Sequence, residues 1–288
     1  MSIICLKNDS LTVKIKTLGA ELNSILDANG GERLWQGDPA FWHDQAPVLF
    51  PVAGGFRDDE YILNGKAYHM PKHGFAKKRE FAVEEQSNTS ATFLLAGEAA
   101  KDDGFPFDYE LRVRYTLDGA AIKVDYIVTN LQDTPLYCSV GAHEGYACEG
   151  GIENYEIKFD KPEGSVLKSN ILLGNLLSHE TRDLPLNNRN ALELKYDYFA
   201  VDAQVFLTLK SRSVTLCRKG GEALARVDFK GLDYMLIWTR PNAPYICIEP
   251  WANHPDFVDW CKQLPAMPGV LAIAAHDSAV RTHTITIL

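Results

Sequence analysis

The strongest constraint on this chain is a period of two. Tyr109 to Leu117 and Ala121 to Asn130 alternate apolar and polar residues, with Asp118-Gly119 between them. Alternation sends one face of an extended chain into a core and the other into water, and Asp-Gly favours a tight hairpin turn. The same texture recurs at Leu11 to Ile15, Leu22 to Leu26, Phe81 to Glu85, Ala91 to Leu95, Tyr137 to Val140 and Tyr155 to Phe159. It continues at Gln204 to Leu209, Ser213 to Cys217, Ala225 to Phe229, Tyr234 to Trp238, Tyr245 to Ile248 and Thr282 to Leu288. Asn29-Gly30 and Asn64-Gly65 read as hairpin turns. Turn signals fall roughly every 8 to 12 residues, as in sandwiches and barrels. No helical pattern exceeds about three turns; Asp38 to Trp42, with Asp38 before Pro39, reads as a helical turn. The expectation is an all-β, antiparallel fold in two packed layers, because sheets this extended rarely stay open. Residues 160–199 read as loops without a legible order. With no linker and no fixed-period repeat, residues 1–288 read as one domain.

A net charge of −9 without a block of like charges disfavours nucleic acid and anionic membranes as partners, though a phosphorylated substrate is decided locally. The cysteines at 5, 138, 148, 217, 247 and 261 are scattered, with no C-x-x-C pair. They read as reduced thiols rather than a disulfide framework or zinc site. The N-terminal stretch lacks a basic region before its short apolar run, and no window approaches the roughly 18 apolar residues of a membrane span. A cytoplasmic protein is expected.

One stretch carries chemistry. In Tyr245-Ile-Cys-Ile-Glu-Pro-Trp251, an apolar run leads to Glu249 and then Pro250, which is read as ending the strand. A carboxylate held by a rigid strand and shielded by Trp251 has a raised pKa suited to a general base. The plainer reading is a strand-end Glu satisfied by a salt bridge or backbone amides.

Five motifs occur in order: Leu49-Phe50-Pro51-Val52; Asn64-Gly65-Lys66 with His73-Gly74-Phe75-Ala76; Gly104-Phe105-Pro106-Phe107; Gly141-Ala142-His143; and Ile248-Glu249-Pro250-Trp251. In this order the chain resembles the aldose 1-epimerase (galactose mutarotase-like) superfamily, most of all the subgroup found beside lactose-utilisation genes in Gram-positive bacteria. The resemblance implies a large antiparallel β-sandwich with a sugar cleft on one sheet. It implies Glu249 as general base and His143 as general acid, opening a hemiacetal ring from opposite sides of its O–C–O unit. Taken alone, His143 reads as a strand-end histidine satisfied by a carbonyl. The resemblance also makes His73 a ligand of a sugar hydroxyl or ring oxygen, and matches Asp202 to a carboxylate that binds hydroxyls, with Asp197 as alternative. Trp238, Phe75 and Trp251 are candidates to stack on the sugar's C–H face, although core packing is the commoner fate of aromatics.

The chain departs from the family pattern in three places. The family's substrate-binding arginine is replaced by Gly55, and Arg57 reaches the same face only if the segment is a strand. Glu144 follows the acid histidine where Pro is usual; it either raises the His143 pKa or faces solvent. Ala252-Asn253 replaces the usual Tyr-Gly. The chemistry implied is mutarotation of a hexose or hexose phosphate, with a small-molecule sugar as partner, no metal, no cofactor, and a monomer or homodimer. A sugar-binding protein without catalysis is the alternative. A glycoside hydrolase would need a second carboxylate about 5 to 9.5 Å from the first, and only Glu249 has a motif around it. Lys72, Lys77, Lys78 and Arg79 read as a solvated basic loop, or else as a subsite for a sugar phosphate.

Overall fold

A computed structural model describes residues 2–99, 101 and 104–288. Met1, where the N-terminal reading begins, lies outside the described residues. Among the described residues there are β-strands and short 3-10 turns, with no α-helix. A nine-stranded antiparallel sheet runs in the spatial order Ala191–Glu193, Tyr155–Phe159, Ser213–Arg218, Ala223–Asp228, Ser278–Ile287, Ala121–Asn130, Tyr109–Asp118, Ser90–Gly97, Ala82–Gln86. A six-stranded sheet runs Glu144–Ala147, Tyr245–Trp251, Tyr234–Trp238, Gln204–Phe206, Val166–Leu173, Leu176–Pro185. The two form the expected sandwich. Val113 and Val124 of the larger sheet share a buried cluster with Met235, Ile237, Ile246 and Ile248 of the smaller. No helix among the described residues is long and apolar enough to cross a membrane.

Local signals placed most hairpins. Leu22–Leu26, Ala121–Asn130, Tyr155–Phe159 and Tyr234–Trp238 have the expected bounds. Asn64 and Gly65 both adopt positive φ, the turn Asn-Gly favours. The Asp38 segment is a single turn, with the Phe41 and Trp42 amides donating to Asp38 O.

Two readings are corrected. The stretch expected to be loops contains the hairpin Val166–Leu173/Leu176–Pro185. A register shift between Asn170 and Leu172 breaks its alternation, which hides it from a period-two reading. Pro250 also does not end its strand, which continues to Trp251. The Glu144–Ala147 neighbour pairs only as far as Ile248, so no ladder partner awaits an N–H from residue 250, while its carbonyl accepts from Ala142 N–H at 3.0 Å.

Candidate active site

The strand Tyr245–Trp251, in the six-stranded sheet, is buried along its whole length. Ile246 and Ile248 point into the sandwich core; Tyr245, Cys247, Glu249 and Trp251 point the other way, as a period of two requires. Across the ladder Glu249 pairs with Leu236 and Cys247 with Trp238. On the other side Ile248 pairs with Glu144 and Cys247 with Gly145, so His143 arrives beside Glu249 on the same face. Gly145 is needed here: a Cβ would come within 3.0 Å of Trp35 Cβ and 3.2 Å of Trp42 Cζ3. Its absence lets Trp42 lie over the sheet and pack on the His143 ring, with centroids 5.1 Å apart.

A cleft of about 430 Å³ opens on this face. Six of the residues singled out from sequence line it: Glu249, His143, His73, Asp202, Trp238 and Trp251. His143 Nε2 lies 3.3 Å from Glu249 Oε2. The two were expected on opposite sides of a substrate; they are instead in direct contact. This still suits a hemiacetal, whose two oxygens share one carbon, so adjacent groups can each address one of them. Glu249 Oε1 and His143 Nδ1 are buried without a hydrogen-bond partner. Burial pushes the Glu249 carboxyl well above the ordinary range, partly opposed by Lys72 and reinforced by Asp202. Burial pushes the His143 imidazole down to about 3, with Lys77 and Lys72 adding to the fall. Both shifts favour the neutral forms, a carboxylic acid and an uncharged imidazole.

His73 is fixed by two hydrogen bonds. Gly54 N–H donates to its Nδ1 at 3.1 Å, and its own amide donates to Gly54 O at 2.8 Å. With Nδ1 accepting, a neutral His73 carries its proton on Nε2. Burial, reinforced by His143, holds its pKa well below the usual value. Its ring packs edge-on against Trp251 at 5.3 Å and His143 at 5.6 Å. Asp202 lines the cleft and Asp197 does not.

Arg57 and Phe75 are not brought to the cleft. The segment before Arg57 is not a strand, so the argument that alternate residues share a face does not apply. Arg57 opens a 3-10 turn, its amide donates to Asp256 Oδ2 at 3.1 Å, and its guanidinium donates to Val258 O. Phe75 follows two residues at positive φ, His73 and Gly74, which turn the chain over. Its ring packs on Phe50 and Phe105 instead. Glu144 neither faces solvent nor appears among the causes of the His143 shift. It points into the sandwich and accepts from or shares a proton with His283 Nε2 at 3.0 Å. Asn253 bridges to the loop before the cleft, accepting from Ala53 N–H and donating to Ala53 O.

Trp42, Lys72 and Arg240 also line the cleft and were not singled out as site residues. Lys72 was legible as part of a basic stretch read either as a solvated loop or as a subsite for a sugar phosphate; of that stretch Lys72 and Lys77 line the cleft and Lys78 and Arg79 do not. Nothing in the sequence around Trp42 or Arg240 marks them. His143, Cys247 and Glu249 each present one donor atom within 4.8 Å of the others, so this group could hold a cation.

The family described as Aldose 1-epimerase matches residues 2–259. The chain belongs to the aldose 1-epimerase family. It is 37% identical over 295 residues to Protein LacX of Lactococcus lactis subsp. lactis, in both a plasmid and a chromosomal form, covering 98% of this chain and 98% of each relative. A galactose mutarotase-like protein from Lactobacillus casei ATCC 334 superposes with a TM-score of 0.92 at 26% identity, covering 100% of both chains. A galactose mutarotase related enzyme from Lactobacillus acidophilus gives 0.90 at 27%, covering 100% of this chain and 97% of that one. The aldose 1-epimerase family and the mutarotase-like sandwich implied by the ordered motifs are those found.

Proposed function

We propose that this protein interconverts the α and β anomers of an aldose by acid–base ring opening. The observation that carries this reading is the contact between His143 and Glu249 on the floor of a cleft, in a chain of the aldose 1-epimerase family. Glu249 removes the proton of the anomeric hydroxyl; the electrons left on that oxygen form a carbonyl as the bond from the first carbon to the ring oxygen breaks. His143 supplies the proton that the ring oxygen takes up. Rotation about the first carbon–carbon bond presents the other carbonyl face. Reclosure returns the ring-oxygen proton to His143 and the Glu249 proton to the anomeric oxygen, so the enzyme ends unchanged.

During the open-chain stage the pair consists of a carboxylic acid and a neutral imidazole. Those are the forms that burial favours for both groups, so the dry pocket stabilises the middle of the reaction. His73 Nε2–H and Asp202 serve as hydrogen-bonding groups for the sugar, and Trp42, Trp238 and Trp251 offer apolar faces to its C–H surface.

Two cations of the cleft, Lys72 and Arg240, have no carboxylate partner among the described residues; Arg240 rests 5.5 Å from the centre of the Trp238 ring. Lys77 is paired with Asp44 at 3.6 Å. Two uncompensated cations favour a hexose phosphate over a neutral hexose as substrate. The test is polarimetric relaxation of freshly dissolved α-anomers of free and 6-phosphorylated hexoses. Acceleration is expected, greatest for the phosphates. No acceleration with any of them, alongside calorimetric sugar binding, would leave a binding protein without catalysis.

A further inference from the structure

We infer that His143, Cys247 and Glu249 form a binding site for one borderline-soft divalent cation of the zinc type, and that its occupation silences the acid–base pair. The scattered spacing of the cysteines argued against any such site, but the sheet assembles one. Cys247 and Glu249 are two apart on one strand and share the face turned away from the sandwich core, and the ladder delivers His143 to the same place; Glu249 and His143 line the cleft, while Cys247 packs with Trp35 and Tyr245. One nitrogen, one sulfur and one carboxylate oxygen lie within 4.8 Å of one another. Donors around a tetrahedral zinc at about 2.0–2.3 Å stand roughly 3.3–3.8 Å apart, so a small rotation of the Glu249 and His143 side chains closes the set.

A second observation comes from unmade hydrogen bonds. Glu249 Oε1 and His143 Nδ1 are buried with no hydrogen-bond partner, and Cys247 beside them is fully buried. Unpaired polar atoms in a dry pocket are costly, and a cation coordinated by these side chains, once they turn toward it, offsets part of that cost. The mixture of imidazole, thiolate and carboxylate selects zinc-like ions over magnesium or calcium, which prefer oxygen alone. Three protein donors leave a fourth position open to the cleft, where water or a sugar hydroxyl would complete the tetrahedron. Binding expels the thiol proton and any proton on Glu249 to solvent, so no base remains for the anomeric hydroxyl. Lys72, which faces the same cleft, opposes the cation and sets the affinity below that of a structural zinc site.

The test uses cadmium, whose bond to a thiolate gives an ultraviolet charge-transfer band, and needs no turnover. Cys5 and Cys261 are exposed and are first replaced by serine. Titration of that protein with Cd²⁺ is expected to develop the band to an endpoint of one equivalent. Cys247→Ser should abolish the band, and Glu249→Gln, which is isosteric and does not depend on repacking around the thiol, should weaken binding at least ~10-fold. Absence of the band, or a band indifferent to both substitutions, overturns the proposal. If the protein proves to be a mutarotase, Zn²⁺ should inhibit it and a chelator should restore it. Inhibition that persists in Cys247→Ser counts against the site while leaving the mutarotase reading intact.

Discussion

At the scale of single residues, Glu249 and His143 work against the stability of the fold. Glu249 has a folded pKa above its unfolded value of 4.5, so its favourable contribution is present below that value and is lost as pH rises through the folded one. Glu249→Gln keeps the shape and removes the ionisable group. It is therefore expected to melt higher than the native protein at neutral pH, with the difference vanishing below pH 4.5, while mutarotation falls about 10²- to 10⁴-fold. Thermal melts at the two pH values beside polarimetry check both halves. An equal or lower melting temperature at neutral pH contradicts the account. Under the proposed mechanism, His143 sets the acid limb of activity. The pair loses its base only when a second proton binds, and burial delays this until pH falls towards about 3. With a chelator present, kcat should stay flat through 6.5, the value of an unperturbed histidine; an inflection there would show that His143 titrates as if solvated.

At the scale of elements, the site depends on a tie between the two sheets. His143 and Glu144 are neighbours, yet alternation sends one to the cleft and the other to the core, where Glu144 meets His283 of the Ser278–Ile287 strand. Both partners are buried, and the His283 ring stacks on Tyr126 with centroids 5.8 Å apart. His283→Leu leaves the Glu144 carboxyl without its partner and should cost about 1–3 kcal/mol. Adding Glu144→Leu should recover part of that loss, because an apolar pair leaves nothing unsatisfied. Denaturant melts of the two single variants and the double variant measure the coupling; strict additivity would mean that the pair does not hold the sheets. The sequence offered no sign of this partnership, since residues 144 and 283 lie on strands whose approach depends on how the sheets stack.

At the scale of the whole molecule, the cleft residues lie between Trp42 and Pro255, and the family match ends at residue 259. The sandwich does not end there. Ser278–Ile287 is hydrogen-bonded on both sides, to Ala121–Asn130 and to Ala223–Asp228, inside the nine-stranded sheet. A chain cut after residue 259 keeps every cleft side chain but opens two strand edges in the middle of that sheet. It is expected to lose its cooperative unfolding transition by circular dichroism. Native-like melting of the fragment would show that the core does not need its final strand.

The sequence by itself determined the architecture and marked the candidate acid–base residues. Period-two alternation and Asn-Gly or Asp-Gly turns are local, and a hairpin forms from neighbours whatever the rest of the chain does. Glu249 and His143 were legible because each sits in a short motif within a resemblance that runs the length of the chain. Only the tertiary structure decided what surrounds them. Trp42, Lys72 and Arg240 reach the cleft from separate segments, Arg57 and Phe75 turn away from it at residues with positive φ or in a 3-10 turn, and Cys247 joins His143 through strand register. Those placements follow from the order of strands in the sheets, which long-range packing sets. The stretch that began as an apolar run ending in a lone carboxylate is a strand with two faces, one closing the core and the other carrying the candidate site.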